Sequence, residues 1–184
     1  IEHSMNVCAV RTLTETVGLE KGYKYLENFG FTTLVNNDPN YPGMSDIAQA
    51  TALGGITRGV YNIEMTAAYA AIANSGIYTE PLLYTEILDH DGNVLIDNSK
   101  PITRRVLKES TAFLLTSAMQ DVINRGTGTP ARLNNMPAAG KTGTTENSTD
   151  LWLSAYTPYY TCSVWTGYDE DLSLIHISEP TRLG

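Results

Sequence analysis

Basic residues and long apolar runs are both scarce in this chain of 184 residues. Lys and Arg number 12 against 20 Asp and Glu, and the net charge of −8 argues against a general nucleic-acid-binding surface. A local basic site remains possible, because net charge describes the whole chain and not one pocket. No apolar run reaches the ~18 residues that a membrane-spanning helix needs. We therefore predict no nucleic-acid partner and no membrane span within these residues.

Cysteine and histidine are also sparse. The two cysteines, Cys8 and Cys162, lack the close spacing of a metal site, and the sequence leaves free thiols and one disulfide both open. We expect them to be buried small apolar residues. The three histidines are scattered, and no cluster of His, Cys, Asp and Glu has the spacing of metal ligands. The sequence therefore predicts no metal site.

The rest of the composition is that of a folded protein. Apolar residues make up 42% of the chain and charged residues 17%, and 184 residues suffice for one domain with a hydrophobic core. Asn62 is expected to cap a helix that Gly76 ends. Helical spacing of apolar residues predicts helices over 5–17, 19–29, 63–75 and 109–124, with a weaker helical stretch over 45–53.

The last third of the chain has a strand pattern. Short segments rich in Thr, Tyr, Trp and Val predict adjacent antiparallel strands over 138–144, 151–156 and 161–167. Before them, an Asp-Gly pair between apolar runs predicts a hairpin with strands within 82–88 and 93–96. Helices followed by a strand meander favour an α+β fold, in which an antiparallel sheet is packed with helices.

The segment Lys141-Thr142-Gly143-Thr144 has the chemistry expected of a strand that receives a carboxylate. The ammonium group attracts an anion, the hydroxyls donate hydrogen bonds, and the glycine lets a substrate backbone approach. A short motif is weak evidence alone, because the same residues could begin an ordinary strand with a surface lysine.

Three further segments have structural interpretations. Ser4-Met5-Asn6 is typical of a helix N-cap, although a capping serine can also point its hydroxyl into a cleft. Residues 125–129 resemble a phosphate loop only superficially, since they follow a helix instead of opening one, and they are interpreted as a turn. Glu146 and Asp150 flank a polar segment and are interpreted as solvated loop residues.

Together these segments resemble the class A penicillin-binding proteins, the cell-wall transpeptidases. Ser-x-Asn at 4–6 and Lys-Thr-Gly at 141–143 are two of the three motifs of penicillin-recognising serine enzymes. The similarity is collinear from about Glu2 to about Glu170. It includes segments at 52–60, 68–76, 124–129, 140–145 and 164–168. The joint match is far more specific than any of its parts.

The resemblance implies a penicillin-binding protein or serine β-lactamase-like transpeptidase fold. The reaction it implies is serine acyl transfer on the D-Ala-D-Ala end of peptidoglycan stem peptides. Ser4 would then relay a proton to the leaving amine, and Asn6 would hold the substrate amide. Lys141 would keep the site positive, attract the terminal carboxylate and aid the proton relay. No metal or organic cofactor is implied.

The resemblance also assigns the strand motif to substrate binding. The hydroxyls of Thr142 and Thr144 would bind the terminal carboxylate, Gly143 would keep the strand edge open, and the Thr144 N–H would donate to the oxyanion. The family nucleophile lies in a Ser-x-x-Lys motif, but no serine here has a lysine three residues later. We therefore expect the nucleophile to lie upstream of Ile1 and this chain to be inactive by itself.

The expected domain organisation follows from the same resemblance. Residues 1–171 are predicted to be a partial transpeptidase domain that is incomplete at both ends. Residues 172–184 are similar to translated sequencing-adapter text and are expected to be a non-native tail.

The resemblance implies stem peptides and β-lactams as ligands, with no nucleic acid. It places the longer protein in the bacterial cell envelope, on the extracytoplasmic face of the plasma membrane. A membrane anchor and a glycan-polymerising domain are expected outside these residues. Two alternatives stay open: a β-lactam hydrolase or sensor of the same fold, and a non-catalytic peptide-binding module.

Overall fold

The computed structural model describes residues 1–145 and 148–167. Its helices are α1 (Asn6–Arg11), α2 (Leu19–Asn28), α3 (Asn62–Ala73) and α4 (Glu109–Asn124). Its strands are β1 (Ile77–Thr79), β2 (Glu86–Leu88), β3 (Val94–Asp97), β4 (Thr103–Arg105), β5 (Ala139–Thr144), β6 (Asp150–Tyr156) and β7 (Thr161–Gly167). A π-helical segment, Thr12–Val17, continues α1, and 3₁₀ turns cover Gln49–Leu53 and Thr129–Ala131.

The strand predictions are confirmed for the last third of the chain. Strands β5, β6 and β7 form an antiparallel meander in that order. In its register Lys141 lies opposite Ser154, and Ser154 lies opposite Ser163. The predicted hairpin is present as β2 and β3, with all of its strand residues exposed. The helices together with these antiparallel sheets confirm the α+β class.

The antiparallel pair β1–β4 was not predicted. Each strand has three residues, and Ile77 pairs with Arg105 across a long stretch of chain. Three residues are too few for an alternating pattern to be recognisable in the sequence.

The helix predictions hold best for α2 and α4. Residues 5–17 are helical, but their second half is π-helical, and only Gln49–Leu53 of the weaker stretch is helical, as a 3₁₀ turn. Asn62 was wrongly expected to be the N-cap of α3. It is the first residue of that helix, the N-cap is Tyr61, and no side chain caps the helix. Gly76 was also wrongly expected to end this helix. The C-cap is Asn74, so Ser75, with a φ of +54°, takes the left-handed position after it, and Gly76, with a φ of +84°, follows one residue later.

Two small clusters of buried residues form part of the core in the described part of the chain. Ala67 and Ala71 of α3 pack with Tyr78 of β1. Met119 of α4 packs with residues of the meander, Ala139 and Tyr156. The alanines of α3 therefore provide the close approach that a helix needs to pack tightly on a neighbour.

The two cysteines lie on the surface of the structure. Cys8 and Cys162 are exposed and unpaired, so the expectation that they are buried is wrong. Cys8 lies on α1, which buries none of its residues, and Cys162 lies at an exposed position of β7.

Among the helices in the described ranges, none is long and apolar enough to cross a bilayer. Residues 172–184, the predicted tail, lie outside the described residues.

Candidate active site

The two sequence motifs meet in space. Lys141 Nζ donates hydrogen bonds to Ser4 Oγ and to the Thr142 carbonyl oxygen, each at 2.7 Å. Ser4 and Lys141 are 137 positions apart in the sequence. The Ser4 hydroxyl does not cap α1, because the N-cap is Met5 and no side chain caps that helix. Ser4 and Lys141, which the resemblance assigns to one proton relay, are therefore in direct contact, and the capping interpretation of Ser4 is wrong.

The loop after α4 holds the segment that carries Ser4. The Thr127 N–H donates to the Glu2 carbonyl oxygen at 3.3 Å, and Arg125 Nε lies 3.3 Å from Glu2 Oε2. Between them, Gly126 packs so closely that an added Cβ would collide with the Glu2 carbonyl oxygen. Ser4 itself has a φ of +50° in a turn closed by its N–H to the Ile1 carbonyl oxygen. Residues 125–127 are thus a turn, as predicted, and also position the N-terminal segment.

The open edge of β5 presents backbone groups beside Lys141. Thr145 N donates to the Asp150 carbonyl oxygen at 3.1 Å, and hydrogen-bonded pairs alternate along an antiparallel ladder. The N–H groups of Thr142 and Thr144 therefore point away from β6. In the described sheet β5 is a terminal strand, so these groups face its open edge. The Thr142 carbonyl that accepts from Lys141 lies on the same edge.

Burial lowers the pKa of the Lys141 ammonium below its ordinary value. The side chain is partly buried, and desolvation disfavours the charged form of an amine. A lysine with a lowered pKa releases a proton more readily than a solvated one. Ser4 Oγ, which accepts a hydrogen bond from Lys141 Nζ, can receive that proton.

The hydroxyl of Thr142 has a partner that the sequence did not reveal. Thr142 Oγ1 and Thr127 Oγ1 are 2.7 Å apart, and either can be the donor. Thr127 lay within the segment interpreted as a turn, and the collinear similarity over 124–129 was the signal that could have identified it. Thr144 is exposed at the end of β5. Thr127 therefore joins the candidate site as a contact of the strand motif.

A cleft of about 670 Å³ lies along the meander. Residues 53–56 and 58–61 form part of its wall together with three residues of α3, and the strand motif with Thr145 forms another part. The remaining lining comes from β6 and β7: Asp150, Trp152, Ser154 and Trp165. Ser4 and Asn6 do not line this cleft, and Asn6 is exposed as the first residue of α1. The structure thus brings Ser4 to the strand motif through Lys141 and leaves Asn6 outside.

Two tryptophans and a carboxylate lie at one part of this cleft. The rings of Trp152 and Trp165 are 6.5 Å apart between centroids, and Trp165 Nε1 donates to Asp150 Oδ1 at 2.8 Å. Asp150 belongs to β6, so its interpretation as a loop residue is wrong, whereas Glu146 lies outside the described residues. Burial raises the pKa of Tyr69, another lining residue, to about 12, which keeps its phenol neutral. No group of three or more His, Cys, Asp and Glu in the described ranges could hold a metal ion.

Comparisons with known proteins give a consistent result. The family model described as the penicillin binding protein transpeptidase domain matches residues 1–173. Penicillin-binding protein 1A of Clostridium acetobutylicum is 40% identical over 172 residues, which cover 93% of this chain and 20% of the relative. Penicillin-binding protein 1F of Bacillus subtilis is 34% identical over 193 residues, which cover 100% of this chain and 25% of the relative.

A solved structure has the same fold. The crystal structure of penicillin-binding protein 1A from Haemophilus influenzae matches with a TM-score of 0.74 at 23% identity, over 92% of this chain and 29% of that chain. This chain thus spans about a fifth of the length of the C. acetobutylicum relative. The chain belongs to the penicillin-binding protein transpeptidase domain family, and its relatives named penicillin-binding protein 1A confirm the class A resemblance predicted from the sequence.

Proposed function

We propose that this chain supplies the proton-relay and carboxylate-binding part of a serine D,D-transpeptidase site. The attacking serine would come from the part of the longer protein that this chain does not span. The observation that carries the proposal is the 2.7 Å hydrogen bond from Lys141 Nζ to Ser4 Oγ, which joins the two motifs across 137 positions. Family membership supports the proposed reaction class, and this hydrogen bond supports the proposed pairing of Ser4 with Lys141.

The reaction is an acyl transfer. A serine gives its proton to a base, proposed to be the lysine of its own Ser-x-x-Lys motif, and its oxygen attacks the carbonyl carbon between the two D-Ala residues. The C–N bond then breaks, and D-Ala leaves as an amine that needs a proton. Ser4 passes that proton to the amine, and Lys141 restores it to Ser4 across their hydrogen bond. The lowered pKa of Lys141 favours this transfer. Asn6 is proposed to hold the substrate amide, which requires the substrate to extend beyond the cleft towards α1.

Substrate binding is assigned to the open edge of β5. The exposed Thr144 hydroxyl binds the terminal carboxylate, and its N–H, which points away from β6, donates to the oxyanion. Thr142 contributes its hydroxyl while Thr127 holds it in place. Gly143 keeps the strand edge accessible. β-Lactams would occupy the same position. PonA1 from Mycobacterium tuberculosis, which has the same fold at 24% identity, is known in complex with penicillin V.

The site of action follows from the same proposal. A transpeptidase of peptidoglycan works in the bacterial cell envelope, on the extracytoplasmic face of the plasma membrane. A membrane anchor and a glycan-polymerising domain would lie elsewhere in the longer protein. The assignment of residues 172–184 as a non-native tail stays a prediction.

Covalent labelling with a fluorescent penicillin tests the function. We expect a longer form that includes an upstream Ser-x-x-Lys motif to be labelled, and this chain to remain unlabelled. Lys141→Met in the longer form should reduce the labelling rate by about a hundredfold or more, as loss of a general acid–base group does. Exposed Lys21→Met is the matched control and should label at the normal rate.

Three outcomes would contradict the proposal. Labelling of this chain alone would show that the nucleophile lies within it. Rapid turnover of a chromogenic cephalosporin by the longer form would instead indicate a β-lactam hydrolase, since a transpeptidase holds the acyl group much longer. Full labelling with Lys141→Met would remove Lys141 from the proton relay.

A further inference from the structure

Arg58 lines the cleft beside β5, and the proposed reaction leaves it without a role. We propose that Arg58 is a second carboxylate-binding subsite. The preferred ligands would then be D-Ala-D-Ala peptides that carry an additional free carboxylate upstream of the terminal one. This inference rests on the proposed function and names the substrate class of the same site.

The charge of the cleft differs in sign from that of the chain. The charged residues lining it are Arg58, Lys141 and Asp150, which give a net charge of +1, whereas the chain carries −8. Asp150 already accepts hydrogen bonds from Trp165 Nε1 at 2.8 Å and from the Thr149 hydroxyl at 3.3 Å. The two cations therefore dominate the field in the cleft and favour an anionic ligand.

Arg58 is exposed, and its guanidinium lies over the ring of Tyr41 at 5.6 Å from the centroid. Stacking on an aromatic ring restricts a guanidinium while leaving the N–H groups at its edge available to a carboxylate. An arginine that is restricted in this way loses less side-chain entropy when it binds an anion.

The backbone next to Arg58 is fixed by a buried carboxylate. Asp46, only 2% exposed, accepts from the Thr57 N–H at 2.8 Å and the Thr57 hydroxyl at 2.7 Å through one oxygen. Its other oxygen accepts from the Val35 N–H at 2.7 Å. One residue beyond Arg58, the Gly59 carbonyl accepts from the Thr33 hydroxyl. Hydrogen bonds on both sides therefore hold the chain where Arg58 enters the cleft.

The same wall of the cleft contains the beginning of α3. Tyr61 and Asn62 line the cleft, and no side chain caps this helix. The partial positive charge at a helix N-terminus adds to the charge of Arg58.

The positions of Arg58 and Lys141 indicate a ligand with two carboxylates. Arg58 belongs to the wall formed by residues 53–56 and 58–61, and Lys141 belongs to β5 on another wall. A peptide whose terminal carboxylate lies at β5 can extend along the cleft towards Arg58. The volume of about 670 Å³ lies within the range of sites that enclose small ligands. A second carboxylate upstream in the peptide would then meet the guanidinium.

Four peptides test this inference on the 184-residue chain. They are acetyl-Glu-Ala-D-Ala-D-Ala, its Gln counterpart, and the C-terminal amide of each. Binding is followed by NMR through the indole N–H signals of Trp152 and Trp165, the two tryptophans of the sequence, which both line the cleft. We expect the Glu peptide to bind about fivefold more tightly than the Gln peptide, as for a partly solvated ion pair. A second pair of free-acid peptides has the Glu or Gln one residue closer to the C-terminus, which tests a shorter distance between the two carboxylate-binding groups.

Variants assign this preference to Arg58. Arg58→Gln should abolish the preference for Glu, whereas Arg58→Lys should keep part of it. Thr144→Val should weaken binding of both free-acid peptides and leave the Glu preference unchanged. Unaltered circular dichroism of Arg58→Gln would show that the variant is folded.

The outcomes separate the two proposals. If free-acid and amide peptides bind wild type equally, the assignment of β5 to carboxylate binding is wrong. If the free acid is preferred but Glu and Gln peptides bind equally at both spacings, the proposed function stands and the Arg58 subsite is wrong. A Glu preference that persists in folded Arg58→Gln also overturns the subsite.

Discussion

The ammonium of Lys141 is subject to two opposing effects. Burial lowers its pKa, while Ser4 Oγ and the Thr142 carbonyl oxygen accept its hydrogen bonds and stabilise the charged form. Ser4→Ala removes one acceptor, so the pKa of Lys141 should fall further. The measurement is the titration of the Lys141 ¹³Cε signal by NMR, with a lysine in a short unstructured peptide as the reference.

A matched variant controls for general effects on the fold. Ser110→Ala removes an exposed serine at the start of α4 and should leave the titration of Lys141 unchanged. If Lys141 in the unaltered chain titrates like the lysine of the reference peptide, the burial described at this site is wrong. If Ser4→Ala raises the pKa of Lys141, the hydrogen bond is not stabilising the ammonium.

Motif chemistry predicted Lys141 and the family resemblance predicted Ser4, but several other residues of the cleft depend on contacts that no local pattern encodes. Thr127 meets Thr142 because the loop after α4 lies against β5, and the sequence shows only a turn there. No motif in the sequence distinguishes Arg58 from other surface arginines, and only the fold shows that it lines the cleft. Asp150 was mistaken for a loop residue because strand β6 begins one residue earlier than its apolar pattern.

At the scale of elements, the sequence predicted those with a strong period and missed those without one. Helix α4 and the meander are long enough for their patterns to be unambiguous. The π-helical conformation of Thr12–Val17 has a local cause that the spacing of apolar residues does not reveal. The hydroxyls of Thr12 and Thr14 donate to the carbonyl oxygens of Cys8 and Val10, four residues earlier, and such bonds compete with regular helical ones.

The long connection between α2 and α3 depends on one buried carboxylate. The carboxylate of Asp46 accepts three hydrogen bonds, from the backbone N–H of Val35 and from the backbone N–H and the hydroxyl of Thr57. Asp46→Asn places an amide donor where N–H donors already point. We expect a loss of about 2 kcal/mol or more in the free energy of unfolding, since buried donors are left without an acceptor. Urea unfolding followed by far-UV circular dichroism measures it.

Asp91→Asn is the control for Asp46→Asn, because Asp91 is exposed in the turn of the β2–β3 hairpin. Its effect should stay within about 0.5 kcal/mol, as for most surface substitutions. Similar losses for the two variants would mean that Asp46 does not organise the connection. A loss at Asp46 should also weaken peptide binding, because the same carboxylate holds Thr57 beside Arg58.

At the scale of the whole molecule, apolar surface is divided unevenly between core and solvent. Among the described residues, the largest side chains less than 2% exposed are Ile123, Val35 and Val122, whereas Phe113 and Leu114 of α4 are 71% and 67% exposed. A core with few large side chains gives limited stability, and adjacent exposed apolar residues favour association. We therefore expect the isolated chain to be marginally stable and prone to self-association, because its burial is small and not because its elements are poorly formed.

Substitutions on opposite faces of α4 test this imbalance. The double substitution Phe113→Ser and Leu114→Ser should change the free energy of unfolding by less than about 1 kcal/mol, because these side chains bury little surface. It should also shift the chain towards monomer in sedimentation velocity. Met119→Ser on the inner face, where the side chain is 3% exposed, should cost about 2–5 kcal/mol, since it opens a cavity beside Ala139 and Tyr156. If the outer substitutions destabilise the chain as much as the inner one, the outer face of α4 is covered in solution, and the division of apolar surface described above is wrong.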